Sequence, residues 1–335
     1  MSWKPTASRE VLQLRSETLR RIREFFYQID FTEVQTPVLS RDTVVDRHLD
    51  PIEVPVAGFK LGTHLDGADG DKQPTDAEMQ SFYLQTSPEF AMKRLMASGF
   101  EAIFEIGPAF RAGELGPLHN PEFTMLEWYR AGDDLSGGVQ LLADLAKRLF
   151  DVEEVEVVTY RELFLKYTEI DVLAASEREL ARWSADRLDV SNSWSDLKDD
   201  WLDLIFADWI QPKVSSQTPC IVTHYPASQA ALARVCEHDC RVAERFELIY
   251  KGIELANGYH ELLDAEELIQ RNNRVNTQRR ADGKVILPVQ SRMIKAMQSG
   301  LPACSGCALG LDRAIMILAE AQDIQEVLCF PITRS

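Results

Sequence analysis

Two strand-like segments that flank a short loop constrain the fold of this chain more than any other feature. Residues 102–110 (AIFEIGPAF) are apolar and β-prone, and residues 123–129 alternate apolar and polar side chains with many aromatic rings. The Gly and Pro residues between them predict an antiparallel hairpin. Arg111 follows the first strand with a planar guanidinium that suits phosphate, and Phe123 starts the second with a flat apolar face for a base.

A second arginine in the segment GLDR, at 310–313, adds to this pattern. Taken alone, an aromatic residue such as Phe123 is more often part of the core, and an arginine such as Arg111 is more often a surface charge. In combination they predict an ATP site on an antiparallel sheet.

Composition narrows the class of protein. The chain has 335 residues, and its 45% hydrophobic content can fill a substantial core. Lys and Arg total 36 against 53 acidic residues, for a net charge of −17, so we expect no stable binding of tRNA or DNA. The chain starts without an apolar segment and contains no long apolar run, which predicts a cytoplasmic protein with no membrane span and reduced cysteines.

Hydrophobic periodicity divides the chain into elements of one catalytic unit that spans residues 1–335. It predicts a helix over 8–29 with Ser8 as N-cap, and a strand over 31–39 whose Pro37 points to an edge or interface position. Residues 60–80 are polar and aperiodic, which predicts a loop insertion. Residues 133–210 contain amphipathic stretches at 141–150 and 177–188, which predict a peripheral helical insertion.

Two pairs of cysteines have spacings that zinc sites also use. Cys236 and Cys240 form one pair, and Cys304 and Cys307 form the other. The second pair lies in the small-residue run PACSGCALG, which predicts a strand that enters the core with cysteines as compact apolar side chains. We favour that interpretation over zinc.

A second hairpin is predicted around a turn at 251–252. That register places Ile249 opposite Glu254 and Glu247 opposite Ala256, so the two glutamates share one face as diagonal neighbours. Two such carboxylates can hold Mg²⁺ together with phosphate oxygens, although solvated surface carboxylates are the commoner outcome. Asn257 and Glu261 have the opposite parity, and a bulge near Gly258 is required to bring all four into one pocket.

These segments resemble a known family. FTEVQTPVLS, Arg111 with HNPEF, and ALGLDR are similar to motifs 1, 2 and 3 of the class II aminoacyl-tRNA synthetases, and TSPEFAMKRL and GIELANGYHEL are similar to the lysyl branch. The resemblance runs from about residue 9 to the C-terminus. It implies an α+β fold with an antiparallel sheet flanked by helices, and a homodimer formed through motif 1.

The closer resemblance is to the elongation factor P (R)-β-lysine ligases. Lysyl-tRNA synthetases carry an anticodon-binding OB-fold before the catalytic core, whereas motif 1 begins here about thirty residues into the chain. HYPASQAALA and CSGCALGLDR also resemble the ligases more. The resemblance implies ATP-dependent activation of (R)-β-lysine as an adenylate and its transfer to a lysine of elongation factor P. The alternatives are a truncated lysyl-tRNA synthetase that activates α-lysine and a non-catalytic paralogue.

The resemblance also implies roles for individual residues. Arg111 and Arg313 would be catalytic, through the α- and γ-phosphates, and Phe123 would stack on adenine. The other ATP-binding residues would be Ala112, Gly113, Glu114, His119, Asn120, Glu254, Leu255 and Gly310. Glu247 and Glu254 would bind Mg²⁺, and the substrate pocket would consist of Ser87, Pro88, Glu89, Glu127, Tyr129, Asn257, Glu261 and Ala308.

Two positions depart from the family pattern. The acidic residue after Arg111 is displaced by one position, to Glu114. Ala308 stands where lysyl-tRNA synthetases have Gly, and its methyl group would press on the α-amino position of ordinary lysine while it leaves room for a β-amino group.

Overall fold

A twisted sheet of eight strands organises the chain, in a computed structural model that describes residues 3–55, 81–191, 193–214 and 217–335. The order is β1-β5-β6-β11-β10-β9-β8-β7, and a separate sheet has the order β2-β4-β3. The strands are β1 (Thr32–Glu33), β2 (Leu39–Ser40), β3 (Glu53–Pro55), β4 (Ser81–Leu84), β5 (Ala102–Phe110), β6 (Glu122–Ala131), β7 (Glu156–Thr159), β8 (Cys220–Pro226), β9 (Val242–Tyr250), β10 (Ile253–His260) and β11 (Cys304–Gly310).

The inner six strands of the large sheet are antiparallel, and only the edge strands β1 and β7 pair in parallel. Helices pack around the sheet, which gives the predicted α+β architecture. The helices of the described residues are α1 (Arg9–Gln28), α2 (Glu89–Ala97), α3 (Leu135–Phe150), α4 (Tyr160–Thr168), α5 (Glu177–Arg187), α6 (Lys198–Ile205), α7 (Ala265–Ala281), α8 (Arg292–Gly300) and α9 (Leu311–Ala319).

Helices α1, α3 and α9 cover one face of the large sheet and form the main core with it. Helix α1 begins at the predicted N-cap, since the hydroxyl of Ser8 accepts the amide of Val11. Its buried Phe26 stacks on Phe104 of β5 with ring centroids 4.7 Å apart. This packing leaves the opposite face of the sheet available for a site.

The predicted strand over 31–39 was wrong in its extent. The chain forms only β1 and, after a break that contains Pro37, β2 in the other sheet. Proline lacks the amide that a continuous ladder needs, so the strand divides there. The predicted edge position was right, because β1 pairs with β5 alone.

The interpretation of 133–210 as one peripheral insertion requires a correction. The predicted helix over 141–150 is the second half of α3, which starts earlier because Asp134 caps it. Its leucines lie in the main core, so α3 belongs to the central layer. Helices α4 to α6 form a second core around Tyr160 and Trp201, packed against β8. The predicted loop at 60–80 lies outside the described residues.

The six cysteines are all free. Cys304 and Cys307 lie in β11, buried as predicted, and burial raises the pKa of the Cys304 thiol to about 12 and that of Cys307 well above its usual range. Both therefore stay protonated, as apolar core side chains do. Within the described residues, no helix is both long and apolar enough to cross a bilayer.

Candidate active site

A cavity of about 960 Å³ opens on the face of the sheet formed by β6, β10 and β11. Most of the predicted site residues border it, although they come from four separate segments of the chain, 87–89, 111–129, 254–261 and 308–313. They are Ser87, Glu89, Arg111, Glu114, His119, Asn120, Phe123, Glu127, Tyr129, Glu254, Leu255, Asn257, Glu261, Ala308, Gly310 and Arg313.

Four predicted residues lie beside the cavity without bordering it. Ala112 and Gly113 are exposed in the turn after Arg111, and Pro88 is the buried N-cap of α2. Glu247 lies behind the cavity wall, where its carboxylate is held by other side chains. Their predicted contacts stay predictions.

Two arginines and an aromatic ring define one end of the cavity. The guanidinium of Arg111 lies over the ring of Phe123, 5.0 Å from its centroid. Arg313 donates from Nε to the carbonyl of Leu118 at 3.1 Å and from Nη1 to the carbonyl of Glu254 at 3.0 Å. Backbone carbonyls thus hold one cation in place, and this end suits a purine with a polyphosphate.

His119 belongs to the same end. Its Nε2 lies 2.5 Å from Nη2 of Arg313 and therefore accepts a hydrogen bond from it. Burial, and then the charge of Arg313, lower the pKa of the imidazole. Glu114, the displaced acid, lies 3.7 Å from Arg111, so it faces this arginine rather than open solvent.

The hairpin of β9 and β10 has the predicted turn and a different bulge. Lys251 and Gly252 both have positive φ, 50° and 73°, as a two-residue type I′ turn requires. Glu254 pairs with Ile249 as predicted, but Glu247 lies opposite Asn257 and not Ala256.

The bulge lies between Glu254 and Ala256, at Leu255, and not at Gly258. One extra residue reverses the alternation of the strand after it. Asn257 and Glu261 consequently border the same cavity as Glu254. The sequence predicted that a bulge would be needed for this.

Two glutamates, Glu247 and Glu254, lie beside this bulge. The buried carboxylate of Glu247 accepts from the hydroxyl of Tyr225 at 2.5 Å and from Nδ2 of Asn257 at 3.3 Å, and it pairs with Arg245. Burial, followed by the charge of Glu247, raises the pKa of Glu254 to about 7. The Oδ1 atom of Asn257 is buried with no partner in the described structure.

The other end of the cavity is acidic. Glu127 accepts from the hydroxyls of Ser87 and Tyr129, each at 2.7 Å. Glu261 is fully buried at the end of β10, and burial raises the pKa values of Glu127 and Glu261 to about 8. Glu89, at the start of α2, completes the group. Three carboxylates in one pocket suit a ligand with more than one ammonium group.

Comparisons with known proteins identify the family. The sequence model for the family described as tRNA synthetases class II (D, K and N) matches residues 1–334. The chain belongs to this family. The predicted resemblance and the predicted fold class are confirmed, whereas the assignment of Arg111 and Arg313 to motifs 2 and 3 stays a prediction.

Among curated proteins, one relative is the elongation factor P–(R)-β-lysine ligase of Pseudoalteromonas translucida (strain TAC 125). The two chains are 42% identical over 335 residues, which cover 99% of this chain and 98% of the relative. The predicted resemblance to that group of ligases is thereby confirmed.

Further residues that the sequence alone did not single out lie in or directly behind the cavity wall. Lys93 lies on α2, four residues after Glu89, and a helix-period reading of the segment would have placed it beside that acid. Arg245 borders the cavity from β9. Three aspartates of α6 also line it, and only tertiary packing brings them there: Asp199, Asp200 and Asp203.

Proposed function

We propose that this chain is an ATP-dependent, AMP-forming ligase that activates (R)-β-lysine and transfers it to a lysine side chain of translation elongation factor P. One observation carries the proposal. A single cavity has arginines and an aromatic ring at one end and three carboxylates at the other, in a class II chain that matches a β-lysine ligase along nearly its whole length.

Activation requires the β-lysine carboxylate to attack the α-phosphorus of ATP. A new oxygen–phosphorus bond forms while the bond to the pyrophosphate oxygen breaks, so the products are β-lysyl-adenylate and pyrophosphate. Arg111 holds the α-phosphate and Arg313 the γ-phosphate, and Phe123 stacks on the adenine. No strong base is needed, because fixed geometry and charge neutralisation lower the barrier.

The acidic end of the cavity orients the substrate. Glu89 and Glu261 accept its ammonium groups, with Glu127 and Asn257 beside them. The methyl group of Ala308, whose strand neighbours are Glu127 and Asn257, borders this space. A methyl group there restricts the position of the amino group, which favours the β-isomer over α-lysine.

We propose that Mg²⁺ is bound by Glu254, which borders the cavity, and by Glu247, whose carboxylate would turn from Tyr225 and Arg245 toward the ion. Among the described residues no three His, Cys, Asp or Glu side chains form a complete metal cage. Mg²⁺ needs only one or two carboxylates when phosphate oxygens complete its shell, and the unpartnered Oδ1 of Asn257 adds an oxygen beside Glu247. When bound, the ion would offset the negative charge of the phosphates.

Transfer is the second step. The neutral ε-amine of the acceptor lysine attacks the acyl carbon, an amide bond forms, AMP leaves and the amine loses a proton. The acceptor is a translation factor, which places the reaction in the cytoplasm. The chain has a net charge of −17, which disfavours binding of a polyanion. We therefore propose that the enzyme modifies elongation factor P and forms no stable complex with tRNA.

We further propose that the enzyme is a homodimer through its motif 1 region. Strand β1 is an edge strand, and Pro37 follows it where an interface is predicted. Sedimentation at micromolar concentration should show a dimer. A monomer alone would overturn this part of the proposal and leave the chemistry intact.

The decisive experiment is amino-acid-dependent ATP–pyrophosphate exchange with β-lysine and α-lysine, followed by acceptor labelling with elongation factor P and tRNA side by side. We expect exchange to be fastest with β-lysine and only the protein to be labelled. Preferred α-lysine with tRNA labelling would instead identify a synthetase, and no exchange would identify a non-catalytic paralogue. Arg313→Ala should abolish exchange, whereas Arg280→Ala, at an exposed position of α7, should not.

A further inference from the structure

A buried ammonium group lies behind the acidic end of the cavity and has no part in the mechanism above. The side chain of Lys93 is 1% exposed, and its Nζ pairs with the carboxylate of Glu89 and, at 2.6 Å, with Oε2 of Glu261. Glu89 and Glu261 border the cavity, whereas Lys93 does not. Lys93 therefore reaches a ligand only through the two acids that it holds.

Formal charges show what this lysine changes. Glu89, Glu127 and Glu261 together carry three negative charges when ionised, and Lys93 offsets one of them. The remaining charge of −2 equals and opposes the two ammonium groups of a diamino acid. Without Lys93 the three carboxylates would repel one another more strongly and would bind protons more tightly.

We propose that Lys93 is a positioning residue that holds the carboxylates of Glu89 and Glu261 in place at the cavity and offsets part of their negative charge, and so makes the pocket selective for substrates with two ammonium groups. This inference rests on the proposed function. It assigns selectivity to a residue that does not touch the substrate.

The proton affinities of the pocket support the inference. Burial raises the pKa of Glu127 to about 8, and Glu89 adds to the effect. Burial also raises the pKa of Glu261 to about 8, although Lys93 opposes the rise. Burial lowers the pKa of Lys93 itself, but its pairing with Glu261 and Glu89 outweighs this and raises it overall. Near neutral pH the empty pocket therefore holds protons that a dication must displace.

The tyrosines, thiols and arginine that face the cluster do not change charge in this range. Glu254, at the other end of the cavity, does, and its contribution is common to the unchanged enzyme and the Lys93 variants. Burial raises the pKa values of the Tyr129 and Tyr259 hydroxyls and of the Cys304 and Cys307 thiols, so all four remain neutral. Arg234, which donates to the carbonyl of Glu261, remains a cation. Proton release on ligand binding thus reports on the glutamates.

The test is calorimetric titration of the full-length enzyme with β-lysine, in buffers of different ionisation enthalpy, from about pH 6 to pH 9. The difference between buffers counts the protons released per ligand. We expect the unchanged enzyme to release protons at pH 7 and to bind more tightly as pH rises. The Lys93→Met enzyme should release more protons when β-lysine binds, because its glutamates hold them more tightly. Its affinity for β-lysine should fall about tenfold for each pKa unit by which those glutamates rise. Lys93→Arg should behave like the unchanged enzyme.

A second probe separates charge from shape. 6-Aminohexanoate has one ammonium group, and we expect Lys93→Met to discriminate less between it and β-lysine than the unchanged enzyme does. In exchange assays the change should appear in KM for β-lysine more than in kcat.

Two results would overturn the inference. They are an unchanged proton count and pH profile in Lys93→Met, and unchanged discrimination against 6-aminohexanoate in that variant. If Lys93→Met does not fold, Lys93→Gln, which also lacks the charge, is measured in its place and the same two results decide. By contrast, failure of the unchanged enzyme to bind β-lysine would refute the proposed function and not the role of Lys93 alone.

Discussion

Replacing Gly306 by Ala tests whether the sheet itself shapes the substrate pocket. Gly306 lies in β11 between Tyr129 of β6 and Tyr259 of β10. A Cβ atom there would be 2.2 Å from Cε1 of Tyr129 and 2.6 Å from Oε1 of Glu261, whereas ordinary contacts begin at 3.4 Å. The tyrosine ring must therefore move by about 1.2 Å, the difference between these distances, because overlap at that range is strongly repulsive.

Movement of the Tyr129 ring should lower both the stability of the protein and its activity with β-lysine. Tyr129 is buried and donates to Glu127 at 2.7 Å, so a shifted ring loses this hydrogen bond. The added Cβ itself displaces the carboxylate of Glu261. Overpacking of this kind costs about 1–3 kcal/mol of stability, and a misplacement of about 1 Å costs roughly 100-fold in rate. We expect kcat/KM for β-lysine to fall about 100-fold. ATP binding should be unchanged, since Arg111 and Phe123 lie at the other end of the cavity.

The assay is ATP–pyrophosphate exchange at varied β-lysine concentration, with ATP binding measured separately. Gly310→Ala is the control for stability, because a Cβ at the far end of the same strand would meet nothing closer than 3.8 Å. The thermal unfolding temperature of this control should match that of the unchanged protein. If Gly306→Ala is folded and keeps the original kcat/KM, the argument that this glycine makes room for Tyr129 and Glu261 is refuted.

Three further outcomes are expected. Ala308→Gly should improve kcat/KM for α-lysine relative to β-lysine by roughly 10- to 200-fold, and an unchanged ratio would place discrimination elsewhere. Glu254→Gln should abolish exchange without altering the circular dichroism spectrum, because an amide is a weaker Mg²⁺ ligand; exposed Glu101→Gln should remain active. The free energy of unfolding should fall as pH drops below about 6.5, since half-buried His119 beside Arg313 resists a proton that the unfolded imidazole accepts. Urea unfolding should show a flatter pH dependence in His119→Gln, and equal slopes would contradict this.

The sequence was sufficient for the elements that depend on local pattern. The hairpin of β5 and β6 follows from strand alternation around a Gly- and Pro-containing loop, and α1 begins at Ser8 because a hydroxyl there satisfies a free helical amide. The turn at Lys251 and Gly252, where both residues have positive φ, was also predicted from local sequence, because two residues separate two strand-like segments there. Most site residues were found through their resemblance to class II motifs, since those motifs fix residue types at set distances in sequence.

Tertiary structure decided what depends on contacts between distant segments. The bulge at Leu255 and not at Gly258 is one example, because strand pairing selects which residue is left out of the ladder. Another is the place of α3 in the central layer, which amphipathic periodicity cannot distinguish from a peripheral position. The pairing of Lys93 with Glu261 joins α2 to the end of β10, and only the fold brings those charges within 2.6 Å.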